Sequence, residues 1–170
     1  MGVLEFPFNL SPIQLDTNSI HSLLQALLNK YSINVDEVEL EVTETALMNN
    51  EAKETAMLKS LTDLGIKINL DDFGTGHSSF VRLINLPLSA IKIDQCFIKD
   101  VDKNKNKAEI VKTLIFLAKC LDLKVIAEGI ETKEEYSFLQ QHQCEYGQGF
   151  FMSKPVSSDE ILKIFKNNNL

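Results

Sequence analysis

The side chains equipped for chemistry are few and widely spaced: the carboxylates of Glu41, Asp71, Asp72 and Glu128, the amides of Asn9 and Gln148, and the amine of Lys92. Carboxylate and amide oxygens are hard ligands, suited to Mg2+ or Mn2+ rather than zinc. The adjacent pair Asp71 and Asp72 suits two ions sharing a carboxylate, the arrangement used to hydrolyse phosphodiesters. Lys92 would then orient or help activate the attacking water. Two carboxylates about 4 Å apart repel by roughly 1 kcal/mol in water and about 4 kcal/mol at an effective dielectric of 20. If these acids converge, some must be protonated or a divalent cation must neutralise them.

Each residue also has a plainer use. Asp71 and Asp72 could cap the next helix, Glu39 and Glu41 could be the polar face of an alternating strand, and Lys92 an ion-pair partner. Glu131 is equally suited to be a charge at a helix N-terminus. The glycines at 74 and 76 read first as a turn, and two aspartates just before them would repel a bare pyrophosphate. His21, His77 and His142 lack metal-ligand spacing, and no nucleophile elbow, HExxH or GKS/GKT phosphate loop is present.

The elements that must position these residues are short β-type runs alternating with helical patterns. Strands are expected at residues 6–10, 37–43, 66–70, 90–94, 124–130 and 146–151. In the second, Val38, Leu40 and Val42 alternate with Glu39, Glu41 and Thr43. Helices are expected from Pro12 through Leu28, over Met57–Leu64 with Gly65 as a left-handed cap, and briefly through Phe80, Leu83 and Ile84. Others follow from Ile110 to Leu121, from a Thr132–Glu135 capping box to about His142, and from Ser157 through Phe165. This alternation implies right-handed crossovers and a parallel sheet covered by helices. Asn9, Glu41, Glu44, Asp71, Asp72, Lys92, Asp94, Glu128, Glu131 and Gln148 all fall at or just beyond the strands' C-terminal ends. In a parallel barrel those ends form one face, where active sites are built.

Composition narrows the choice of partners. The 170 residues carry 17 Lys+Arg against 24 Asp+Glu, a net charge of −7. That balance disfavours nucleic acid polymers and anionic membranes. No apolar run approaches the roughly 18 residues of a spanning helix, and the first ten residues lack the pattern of a signal peptide. Cys96, Cys120 and Cys144 form no CxxC pair, which suits free thiols in the cytoplasm.

Read in order, FNLSP, LEVTET, DDFGTGHSSF, IKIDQCFI, VIAEGIET and YGQGFFMSKPV resemble the EAL domain family over about residues 9–156. The resemblance implies a phosphodiesterase that opens cyclic di-GMP to linear pGpG by in-line attack of water. It also implies an eight-stranded barrel with one irregular strand and two Mg2+ or Mn2+ ions at its mouth. Asn9, Glu41, Asp71, Asp72 and Glu128 match metal-binding positions, Lys92 the lysine near the hydrolytic water, and Gln148 a glutamine at the catalytic face. Glu44 matches the glutamate that holds the DDFGTG loop, and Glu131 the second glutamate of AEGIET, taken here as loop-stabilising. His77 stands where the family often has Tyr.

The family's Glu-Ala-Leu segment has no counterpart in residues 1–8, and only six strands are visible where a closed barrel has eight. The expected fold is therefore α/β, an incomplete TIM-type (β/α) barrel forming a single truncated domain over residues 1–170. Loss of one metal-ligand glutamate would leave the chain weak or inactive alone. The opened barrel would expose two strand edges and favour a homo-oligomer or completion by another chain. A non-catalytic module of the same fold, binding cyclic di-GMP or a protein, is the alternative. Another Mg2+-dependent barrel enzyme is a third reading.

Overall fold

A computed structural model describes residues 6–16, 19–47, 50–75, 80–157 and 160–161. Its strands are β1 (Phe6–Asn9), β2 (Val38–Thr43), β3 (Lys67–Phe73), β4 (Ala90–Ile93), β5 (Lys124–Ala127) and β6 (Tyr146–Gly147). All neighbouring pairs run parallel, and the strands lie side by side in chain order. The helices between them are α1 (Pro12–Asp16), α2 (Ile20–Tyr31), α3 (Glu51–Thr62), α4 (Phe80–Asn85), α5 (Gln95–Ile98), α6 (Lys105–Cys120) and α7 (Lys133–Gln141). The sheet curls as an incomplete β/α barrel with β1 and β6 at its edges.

The alternation read in the sequence has a physical counterpart on the two faces of the sheet. Leu40 and Val42 of β2, Ile68 and Leu70 of β3, Ile91 and Ile93 of β4, and Val125 and Ala127 of β5 are buried in one apolar cluster. Leu58 and Leu61 of α3, Val111, Ile115 and Ala118 of α6, and Leu139 of α7 complete it. Each fully buried Leu or Ile contributes about 1.5–3 kcal/mol of transfer free energy, so this outer face holds the helices on. The other face carries Glu39, Glu41, Asn69, Asp71 and Lys92, all on the alternate positions.

Local signals set several boundaries. Gly65 closes the turn after α3 at φ +92° and donates its N–H to the Thr62 carbonyl, a conformation that glycine adopts without steric cost. Thr132 caps α7, accepting from Glu135 N–H while the Glu135 carboxylate accepts from Thr132 N–H. The Ser157–Glu160 pair makes the same reciprocal bonds; Leu162 and Phe165 of the expected last helix lie outside the described residues, as does His77.

Other boundaries differ from the sequence reading. The last strand is two residues rather than six, because the chain folds back: Gln148 bonds Ala127 and Ile130, and Phe151 N–H bonds the Ile130 carbonyl. β5 ends at Ala127, leaving Glu128 just past it. Asp71 and Asp72 belong to β3 and do not cap α4, which starts at Phe80. Leu23 and Leu27 are exposed although Leu24 and Leu28 pack on the core, so α2 is covered on one side. Phe6 and Phe8, 49% and 56% exposed, stand on the edge strand itself.

Candidate functional site

The hub of the polar face is Lys92 on β4, 4% exposed. Its Nζ lies 2.7 Å from Glu41 Oε1, 3.0 Å from Asp71 Oδ1 and 2.7 Å from Glu128 Oε1. Three adjoining elements therefore deliver one carboxylate each to a single ammonium: β2, β3 and the turn after β5. Burial works against the charge on Lys92, but hydrogen bonds to Glu128, Glu41 and Asp71 outweigh it and hold the amine's affinity for its proton above the ordinary value. The ammonium is thus a fixed donor in this arrangement.

Asp72 joins the cluster by a backbone device. Strict alternation would turn it to the opposite face from Asp71. The β3–β4 register shifts between Leu70 and Phe73, and Asp72 takes φ +54°, in the left-handed region. A bulge of this kind re-aims a side chain, and aspartate is among the residues that tolerate the conformation. Oxygens of Asp71, Asp72 and Glu128 consequently all lie within 4.8 Å of one another. Burial, then repulsion from Asp71 and from Asp94, raises Asp72 above its ordinary carboxyl value. Glu128 is raised too, first by burial; Lys92 opposes this, and Asp71 and Glu41 reinforce it.

Three carboxylates meet one ammonium and that of Asp72 lies beside them, so with all groups ionised the cluster keeps three uncompensated negative charges. The donor set is oxygen only, and it fits hard divalent ions.

The remaining sequence candidates are distributed unevenly. Asn9 pairs in register with Glu41, but it lies on the edge strand and is exposed. Glu44, 3% exposed, accepts a hydrogen bond from Gly74 N–H at 3.3 Å, tying the turn after β2 to the end of β3. Gln148 is exposed and borders a pocket of about 280 Å³ beside the cluster, also lined by Asp72, Asp94, Glu128, Glu131 and Phe150. Gly129 (φ +69°) forms part of its wall; a Cβ there would lie 2.4 Å from Gln95 Cβ, so the turn after Glu128 needs glycine.

Glu131 has an exposed side chain and donates its backbone N–H to Glu135. The carboxylate that gathers this region is Glu135, 3% exposed, which accepts from the backbone N–H groups of Asp100, Glu131 and Thr132 at 2.9, 2.9 and 3.0 Å. Burial raises its affinity for protons, but those backbone donors and the Thr132 hydroxyl together hold the carboxyl below the usual value. The capping box announced the bonds within α7; the one to Asp100, 35 residues away, had no signal in the sequence. Asp94, which N-caps α5 through Cys96 N–H at 2.8 Å, is likewise part of the site through its proximity to Asp72.

Fold and site together define a β/α-barrel domain with an acidic centre at the C-terminal ends of its strands. The chain belongs to the EAL domain family, whose model matches residues 1–155. It is 42% identical over 132 residues, 76% of its length, to the cyclic di-GMP phosphodiesterase NbdA of Pseudomonas aeruginosa, of which it spans 17%. Among solved structures it is similar to the EAL domain of Mycobacterium smegmatis DcpA, with a TM-score of 0.91 at 31% identity, covering 96% of this chain and 73% of that one. A manganese and cyclic di-GMP complex of Klebsiella pneumoniae BlrP1 aligns with a TM-score of 0.80 at 31% identity, over 86% of this chain and 38% of that one. The chain thus spans about a fifth of the length of the curated relatives it matches. Among the described residues, no helix is long and apolar enough to cross a membrane.

Proposed function

We propose that this chain is a cyclic di-GMP phosphodiesterase domain that uses Mg2+ or Mn2+ to open one phosphodiester bond and give linear pGpG. The observation that carries this reading is the convergence of Glu41, Asp71 and Glu128 on Lys92, with Asp72 beside them. Asp71, Asp72 and Glu128, with Glu41 and Asn9, would hold two divalent ions. Such ions polarise phosphoryl oxygens and supply a strong nucleophile at neutral pH.

The protein's own groups have separable tasks. Lys92, whose three N–H bonds are directed at Glu41, Asp71 and Glu128, offsets negative charge at the phosphoryl group, and would orient the attacking water through an N–H freed when one of these carboxylates turns to an ion. Gln148 presents its amide at the pocket, and the exposed Phe150 ring offers a flat face to a purine. Glu44 fixes the start of the loop after β3. In the reaction a water oxygen bonds to phosphorus and gives up a proton, one P–O ester bond breaks, and the leaving ribose oxygen takes up a proton.

A second reading has its own support. Asn9 and Gln148 stand on the two open edges of the sheet and are exposed, so the binding surface is less enclosed than the cluster. On that basis turnover by the 170-residue chain alone is weak or absent, binding persists, and the open edges are closed by a second copy or another chain. The three free cysteines fit a cytoplasmic setting.

Incubation of the purified chain with cyclic di-GMP and Mn2+, resolving pGpG by chromatography, tests the proposal. Turnover abolished by Glu128→Gln supports the enzyme. Binding without turnover supports a receptor of the same fold, and neither would refute both.

A further inference from the structure

A second polar layer lies one step deeper in the sheet than the Lys92 cluster, and the reaction proposed above does not use it. Glu39 is two residues before Glu41 on β2, and Asn69 two before Asp71 on β3, so each shares a face with a cluster carboxylate. They are 8% and 1% exposed. Asn69 Nδ2 donates to Glu39 Oε2 at 2.7 Å. The strand register pairs Glu39 with Lys67 and Asn69 with Glu41, so this bond crosses diagonally between the strands, Asn69 standing level with Glu41 and two residues before Asp71, Glu39 two residues before Glu41.

The bond has a cost that an apolar core would avoid. With Nδ2 given to Glu39, Asn69 Oδ1 is buried and has no hydrogen-bond partner among the described residues. A buried acceptor without a partner is unfavourable, and replacing both partners of such a pair with apolar groups of similar shape is close to neutral, whereas removing one leaves the other buried without its bond. A pair kept only for packing would lose little by being apolar on both strands. The amide instead locks two side chains of adjacent strands whose next inward neighbours must meet the same ammonium.

We propose that Glu39 and Asn69 are a positioning pair: their hydrogen bond fixes the layer on which Glu41 and Asp71 stand, and so sets how tightly those carboxylates engage Lys92 and a divalent ion. Neither residue is a ligand. The inference rests on the metal-site reading above, and partners one step behind the ligands typically change metal affinity by about 10–100-fold.

The test compares the unsubstituted 170-residue chain with Asn69→Ala, Glu39→Ala, the double variant and Glu39→Gln, at a temperature where all are folded. Two quantities are read: Mn2+ affinity by electron paramagnetic resonance, and, without metal, protection of the Lys92 ammonium protons from solvent exchange by NMR. Both alanine variants should bind Mn2+ about 10-fold more weakly and lose Lys92 protection. The double variant should be no worse than either single one, because the two side chains act as one unit. Glu39→Gln, which keeps the acceptor and drops the charge, should stay within about 3-fold of the unsubstituted chain. Should Asn69→Ala not fold, Asn69→Ser and Glu39→Ala carry the same expectation.

Unchanged affinity and Lys92 protection in the alanine variants would overturn the proposal. So would additive losses in the double variant, or a Glu39→Gln variant as impaired as Glu39→Ala. If the unsubstituted chain binds no Mn2+, the metal reading fails, while the metal-free Lys92 measurement still decides whether the pair positions the cluster.

Discussion

Glu41 and Asn9 are register partners on neighbouring strands, yet they live in different environments. Glu41 is 8% exposed and ion-paired to Lys92, whereas Asn9 is exposed on the edge strand. The same contrast holds at the other flank, between Glu128, whose carboxylate meets Lys92, and Gln148, which is exposed at the pocket rim. Strands β2 to β5 each have neighbours on both sides, so their inward side chains are packed from both directions. The edge strands have one neighbour each. The centre of the site is therefore organised before anything binds, while its flanks are exposed.

Substitutions should divide along that line. The largest effect is expected from Lys92→Met, which leaves Glu41, Asp71 and Glu128 facing one another without their shared cation. Removing one partner from a buried ionic network costs about 3–5 kcal/mol, measurable by urea denaturation near neutral pH without metal. Added Mn2+ should recover part of that loss by neutralising the same carboxylates, and no recovery would mean that the cluster does not take an ion.

Mn2+ should also raise the stability of the unsubstituted chain, by about 2.7 kcal/mol at 100 times its dissociation constant. Asp71→Asn or Glu128→Gln should weaken Mn2+ binding by at least about 10-fold, as read by titration calorimetry. An equal loss on Asn9→Ala would erase the contrast between centre and flank.

Glu135→Gln tests the turn that carries Glu131. Its carboxylate serves three backbone donors, so the substitution should cost about 1–3 kcal/mol, seen in the denaturation midpoint.

Two carboxyls should respond to pH in opposite senses. Glu135 is held below its ordinary value of 4.5, so its contribution is present above that pH and disappears as pH falls through its folded value. Asp72 is raised above 3.8, so its contribution is present below that pH and is lost as pH rises through its folded value. Without metal, Asp72→Asn should therefore flatten the stability decline on the rising side, and Glu135→Gln the decline on the acid side. Opposite slopes in denaturation series between about pH 3 and pH 7 would contradict both assignments.

The smallest effects belong to the edges. Asn9→Ala and Gln148→Ala should change stability by no more than about 0.5 kcal/mol, as exposed substitutions generally do. A larger change would show that these flanks are already closed, for instance by self-association, which sedimentation would reveal.

Much of this architecture was legible before any coordinates. Val38, Leu40 and Val42 mark the apolar, helix-covered face by alternation alone, and Thr132 with Glu135 announces α7, because both patterns operate within a few residues. The residues of the cluster were legible by type and by their place near strand ends. Their arrangement was not. The sequence reading offered Lys92 as an ion-pair partner or a water-orienting group, but nothing in its spacing names three carboxylates as its partners. Nor does any local pattern show that Glu135 ties the turn after β5 to Asp100, since that bond spans 35 residues.

By itself, then, the sequence determined the order of strands and helices, the caps, and which side chains are available at one end of the sheet. Those depend on periodicity and hydrogen bonding between near neighbours. The tertiary structure decided which of these side chains meet. Register places Glu39 beside Lys67 and Asn69 beside Glu41, a bulge swings Asp72 to the side of Asp71, and burial turns Lys92 into a fixed cation among acids. Distances between strands are set by the packing of the whole sheet, and no run of consecutive residues encodes them.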